Sequence, residues 1–206
     1  MLAQLLGSPV QLFLALLPLC LGVVYLRRNA EPGSGPVVPL QAMALVLLSL
    51  AVAGHLYFAG RYLLSPNFTD HIEPNTAIVA WMWAKGGQIY HEIYAPERYA
   101  FLYGPLAYIS TGLIYKLLGW STFAAKLAGV VCLVITYGTL AAAIRRQFPD
   151  RIYPLIIGLG YFAVLALFFK NFSFWSKPDS FMIAAAAIGL LSCTVRRLRL
   201  AWALCG

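Results

Sequence analysis

Carboxylates are scarce in this chain, and they are gathered. Of seven Asp and Glu in 206 residues, four (Asp70, Glu73, Glu92 and Glu97) fall in one polar stretch, residues 65–100. A fifth, Asp179, lies in a second polar stretch, residues 171–180. A carboxylate partly withdrawn from water has its pKa raised and can take the proton of an incoming hydroxyl. Asp70 and Glu73, in Asp70-His71-Ile72-Glu73, are the first candidates, and they also suit the start of a following helix. Asp179 closes Ser176-Lys177-Pro178-Asp179, which has the form of a capping box with Ser176 as N-cap. Glu92 and Glu97, beside Arg98, read as solvated surface.

Tyrosine is the second signal. Tyr90, Tyr94, Tyr99, Tyr103, Tyr108 and Tyr115 crowd one region. Such rings anchor at a membrane interface, and their faces and hydroxyls also suit a sugar. His55 lies inside an apolar run and reads as a neutral ring hydrogen-bonded to a neighbouring helix; His71 and His91 fit no H-E-x-x-H pattern. Cys20, Cys132, Cys193 and Cys205 have no metal-ligand spacing and read as small buried hydrophobes. No G-x-S-x-G, P-loop or dinucleotide fingerprint occurs.

The elements that must position these groups are apolar helices. The chain is 61% hydrophobic and 11% charged, against about 45–50% and about 25% in soluble domains. That excludes a water-soluble globule and predicts an all-α, polytopic transmembrane bundle forming one membrane domain, residues 1–206. Spans are expected at about 11–26, 40–64, 121–143, 152–169 and 181–195, with the start of a further span at 200–206. Arg27-Arg28 follows the first apolar run instead of preceding it, the reverse of a signal peptide.

Charge sets the orientation. The formal charge is +8, and such an excess marks cytoplasmic loops of a membrane protein, not nucleic-acid binding. If residues 101–118 crossed the bilayer, Arg145, Arg146, Arg151, Arg196, Arg197 and Arg199 would all face outward, against the positive-inside rule. If that segment lies along the outer interface, these six join Arg27 and Arg28 inside. Its Pro105, glycines, Lys116 and tyrosines favour the interface. The outer loop then covers 65–120 and holds juxtamembrane helices, one at 74–85 with Trp81 and Trp83 in the headgroup layer. Asp70, Glu73, Glu92, Glu97 and Asp179 all fall on the outer side.

An acidic motif in the first outer loop, then Gly86-Gly87-Gln88-Ile89-Tyr90, then Tyr103-Gly104-Pro105-Leu106-Ala107-Tyr108, and Lys177-Pro178-Asp179 before a small-residue helix, resembles the GT-C membrane glycosyltransferases. The branch it is most similar to is that of the protein O-mannosyltransferases and aminoarabinose transferases. The resemblance covers residues 40–206 and implies a multi-pass enzyme of the cell envelope, in a bacterial inner membrane. Such an enzyme moves a sugar from a polyprenyl-phosphate donor to a lipid, glycan or protein acceptor on the outer face. Asp70 or Glu73 then corresponds to the first-loop catalytic carboxylate and Asp179 to the second-loop acid. Lys177, Lys85 and Arg98 are candidates to stabilise the phosphate, with Tyr90 and Tyr103 against the substrate. Some relatives hold a divalent metal, Mg or Mn, between the acidic loops, and that point stays open. Members are usually longer, so the chain is expected to be an N-terminal piece, which could be inactive alone. The competing expectation is a non-enzymatic membrane protein, a transporter half or lipid-carrier flippase subunit, although such proteins usually have short loops and polar mid-span residues.

Overall fold

A computed structural model describes residues 38–92, 94–96, 104–149, 151–168 and 174–194. The expected spans at 11–26 and 200–206, together with Arg98 and Tyr103, lie outside the described residues. Six helices and no strands occur among those described. They are α1 Val38–Leu64, α2 Ile72–Ala84, α3 Leu106–Leu118, α4 Thr122–Gln147, α5 Ile152–Phe168 and α6 Pro178–Thr194.

The apolar runs become helices near their expected bounds, and local chemistry sets the ends. Ser121 caps α4, its Oγ accepting the Ala124 N–H at 3.1 Å. α2 closes in a Schellman motif: Gly87 N–H bonds Met82 O and Gly86 N–H bonds Trp83 O, each at 2.9 Å, with Gly86 at φ 93°. α1 and α4 are long and apolar enough to cross a membrane, over Ala42–Leu64 and Thr122–Gln147. Their apolar side chains are largely uncovered by the rest of the described protein, as Leu50, Phe58 and Leu64 of α1 and Val134 of α4 illustrate. α5 and α6 are apolar but shorter, at 17 residues each. α3 has 13 residues, a rise of about 20 Å, too short for a hydrocarbon core of about 30 Å.

By internal contacts the chain forms two compact units, Met1–Leu56 with Leu140–Phe169, and Tyr57–Thr139 with Lys170–Gly206. In the first, α1 meets α5 through small residues. Leu48 is buried against Gly160, where a Cβ would collide with it, and the fully buried His55 ring lies 6.0 Å from that of Phe162. In the second, α2 and α3 pack tightly because Gly112 carries no Cβ; one there would come within 2.5 Å of the Trp83 ring and 2.9 Å of Ala80 O. Ala77, Ala80 and Tyr115 form that seam with Ala124 and Ala125 of α4, and Ala107, Ala128, Cys132, Phe181 and Ala184 join α3, α4 and α6.

One local expectation is corrected. Ser176 does not cap α6, because its Oγ donates instead to Ala125 O of α4 at 2.7 Å. Trp83 turns onto Gly112 under the Lys116 ammonium, 4.6 Å from the ring centroid, while Trp81 is the exposed one of the pair.

Candidate functional site: an ion pair between two loops

The site lies wholly in the second unit and is built on two loop segments, 65–71 after α1 and 174–177 before α6. Asp70 opens α2, its Oδ1 accepting the Ile72 N–H at 2.8 Å and standing 3.0 Å from His71 Nδ1. Its Oδ2 accepts a hydrogen bond from Lys177 Nζ in a salt bridge that joins the two segments. Both partners are largely withdrawn from solvent, Lys177 with 6% and Asp70 with 17% of its side chain exposed. The Lys177 hydrogen bond holds the Asp70 carboxyl below its usual range, so Asp70 is ionised at neutral pH.

Two residues from Lys177, in the first turn of α6, stands Asp179. It is half-buried and has no hydrogen-bond or ion-pair partner among the described residues. Glu73 is the opposite case. It is fully buried, with Oε1 accepting from the Tyr62 hydroxyl and Oε2 from the Thr69 N–H at 2.8 Å.

Beneath the pair lies a buried cluster that sequence reasoning missed. Lys126, fully buried near the start of α4, spends its three ammonium protons on carbonyls: Tyr62 O at 3.0 Å, Ser65 O at 2.9 Å and Asn67 O at 2.6 Å. A cation at the C-terminal end of α1 also complements the helix dipole. The Tyr62 ring stacks on Trp175, 13° from parallel at 6.4 Å, and tilts against Phe174 at 5.4 Å. Lys126 Nζ stands 4.6 Å from the Tyr62 ring centroid and Lys177 Nζ 4.7 Å from that of Trp175. Gly129 lets this loop lie on α4, since a Cβ there would come within 2.5 Å of Phe174 O and 2.6 Å of Trp175 O. Two acids and two lysines, Asp70, Glu73, Lys126 and Lys177, thus balance in a shielded region. The available sequence signal was a lone lysine in the apolar run Thr122–Gln147, since such a charge is costly unless it is partnered.

An apolar groove of about 250 Å³ lies between α3, α4 and α6. Leu106, Ile114, Ala128, Cys132, Phe181 and Ile188 line it. Phe181 of that lining stands in the first turn of α6, as does Asp179.

Other candidates stand elsewhere. Lys85 follows the last residue of α2 and Tyr90 lies beyond it; the 13 residues of α2 put that end about 20 Å from Asp70. Tyr90 and Tyr94 are exposed, whereas Tyr108 and Tyr115 are buried in helix packing. The described residues bring together no set of three His, Cys, Asp or Glu able to hold a metal, and the Lys177 ammonium takes the Asp70 oxygen that would otherwise face a cation. No protein-family model, curated protein or solved structure matches this chain.

Proposed function

We propose that the protein is a multi-pass membrane glycosyltransferase that takes its sugar from a polyprenyl-phosphate donor and transfers it on the outer face of a bacterial inner membrane. One observation carries the reading: the largely buried Asp70–Lys177 pair and an apolar groove both adjoin the start of α6, Lys177 directly before its first turn and Phe181 of the groove lining within it. A phosphate-linked sugar on an isoprenoid tail has that same division of charge, polarity and grease. The uncovered apolar flanks of α1 and α4 and the short, partly amphipathic α3 support a membrane setting.

In this reading the acceptor's hydroxyl oxygen attacks the anomeric carbon as the bond from that carbon to the phosphate oxygen breaks. The phosphate departs with the bonding electrons, and the sugar is inverted. Positive charge grows on the ring in the transition state, and the hydroxyl proton passes to a carboxylate. Asp70 is the proton acceptor. While Lys177 holds it, its affinity for a proton is low; when the donor phosphate draws the ammonium away, that affinity rises. Lys177 then neutralises the leaving phosphate. Asp179, free of partners among the described residues, faces the developing charge on the sugar. Glu73, with both oxygens engaged and no exposure, supports the site from below.

The test uses the protein in lipid nanodiscs, given polyprenyl-phosphate hexoses and pentoses labelled in the sugar, together with membrane extract as acceptor. Release of polyprenyl phosphate is followed. Asp70→Asn and Asp179→Asn should each slow it by about 100-fold or more, the usual scale for a lost acid–base or charge-stabilising group. Unchanged turnover in both variants, or no consumption of any donor by the parent protein, would overturn the proposal.

A further inference from the structure

A single buried hydroxyl links the two segments that carry the Asp70–Lys177 pair. Tyr62 OH donates to Glu73 Oε1, and it accepts the backbone N–H of Ser176 at 2.9 Å. Glu73 Oε2 in turn accepts the backbone N–H of Thr69 at 2.8 Å. Thr69 immediately precedes Asp70 and Ser176 immediately precedes Lys177. Each half of the ion pair therefore hangs one residue from a hydrogen bond that leads to the same oxygen.

We infer that Tyr62 is a positioning residue, whose buried hydroxyl joins the segment before α2 to the segment before α6 and so fixes the distance between Asp70 and Lys177. Tyr62, Glu73 and Ser176 are all buried, so water does not compete for these bonds. The joint is itself held in place. Lys126 grips the carbonyls of Tyr62, Ser65 and Asn67, and the Tyr62 ring is stacked on Trp175, next to Ser176. Phenylalanine would keep that stack and lose only the hydroxyl, leaving the Ser176 N–H and one Glu73 oxygen without their shared partner. The inference concerns geometry alone and holds whatever chemistry the pair performs.

The experiment measures that spacing directly. Cys20, Cys132, Cys193 and Cys205 are replaced by alanine in the full chain, and Asp70→Cys and Lys177→Cys are introduced together. This removes the ion pair and leaves the joint to set the gap. The rate of closure by a short bismaleimide is then compared with Tyr62 intact and with Tyr62→Phe, alongside thermal melting in the same detergent. Closure in Tyr62→Phe should be slower by tenfold or more while the protein remains folded. An unchanged rate would overturn the inference, as would a loss only in proportion to the unfolded fraction, which is what general structural support would give. Glu73→Leu, which cuts the Thr69 arm and leaves the Ser176 arm, is read by the same two criteria should Tyr62→Phe fail to fold.

Discussion

Lys126 is the residue on which the buried cluster depends most. Its ammonium is removed from water and repaid by three carbonyls, the face of the Tyr62 ring and the nearby Glu73 carboxylate. Lys126→Met leaves those carbonyls and the Glu73 charge uncompensated, and should cost about 3–5 kcal/mol of stability in detergent unfolding experiments. Adding Glu73→Gln should recover part of that loss, because the uncompensated charge goes with it; a strictly additive double variant would count against the coupling. The Asp70–Lys177 pair has its own signature. The native pKa of Asp70 is depressed by the Lys177 hydrogen bond, so its contribution is present above the unfolded pKa of about 3.9 and is lost as pH falls through the native value. The difference in melting temperature between the parent and Lys177→Met should therefore be flat near neutrality and shrink below about pH 4. The acids and Lys177 were legible in the sequence because charge is rare in so apolar a chain. Tyr62 and Lys126 were not, since one is a single ring among twelve tyrosines and the other reads as a cation at a helix end; their roles exist only once α1, α4 and the 174–177 loop meet.

Helices were the most legible elements, because long apolar runs bounded by Pro, Gly and charge leave few alternatives. The runs expected at 40–64, 121–143, 152–169 and 181–195 correspond to Val38–Leu64, Thr122–Gln147, Ile152–Phe168 and Pro178–Thr194. Connections were harder. Ser176-Lys177-Pro178-Asp179 carries a real local capping pattern, but Ala125 O offers the hydroxyl a buried tertiary partner and wins. What makes this loop possible is the bare face of α4 at Gly129. Gly129→Ala would press a methyl onto the Phe174 and Trp175 carbonyls and should cost about 1–3 kcal/mol, the usual scale for overpacking. The same substitution at Gly138, where a Cβ meets nothing within 4 Å, should be nearly neutral. Melting temperatures of the two variants, measured side by side, check the contrast.

For the whole molecule, the account rests on which side each loop occupies. In the proposed topology the arginine distribution puts the 145–151 loop inside and residues 65–120 outside. Both probe positions are exposed, His71 beside the site and Gln147 at the end of α4. In intact cells an impermeant maleimide should label His71→Cys and spare Gln147→Cys; the reverse pattern would reject the topology. The proposed function rests in the sequence only on a resemblance carried by short motifs, because a site made from two loops more than a hundred residues apart leaves little local signal. The most direct test of the site is the pH dependence of kcat/KM for sugar transfer by the parent and by Lys177→Met, which reports the free enzyme, in which Lys177 still holds Asp70. If Asp70 is the base and Lys177 governs its proton affinity, the acidic limb should move to higher pH in Lys177→Met, and the donor KM should rise. An acidic limb and a KM identical in the two proteins would contradict the account.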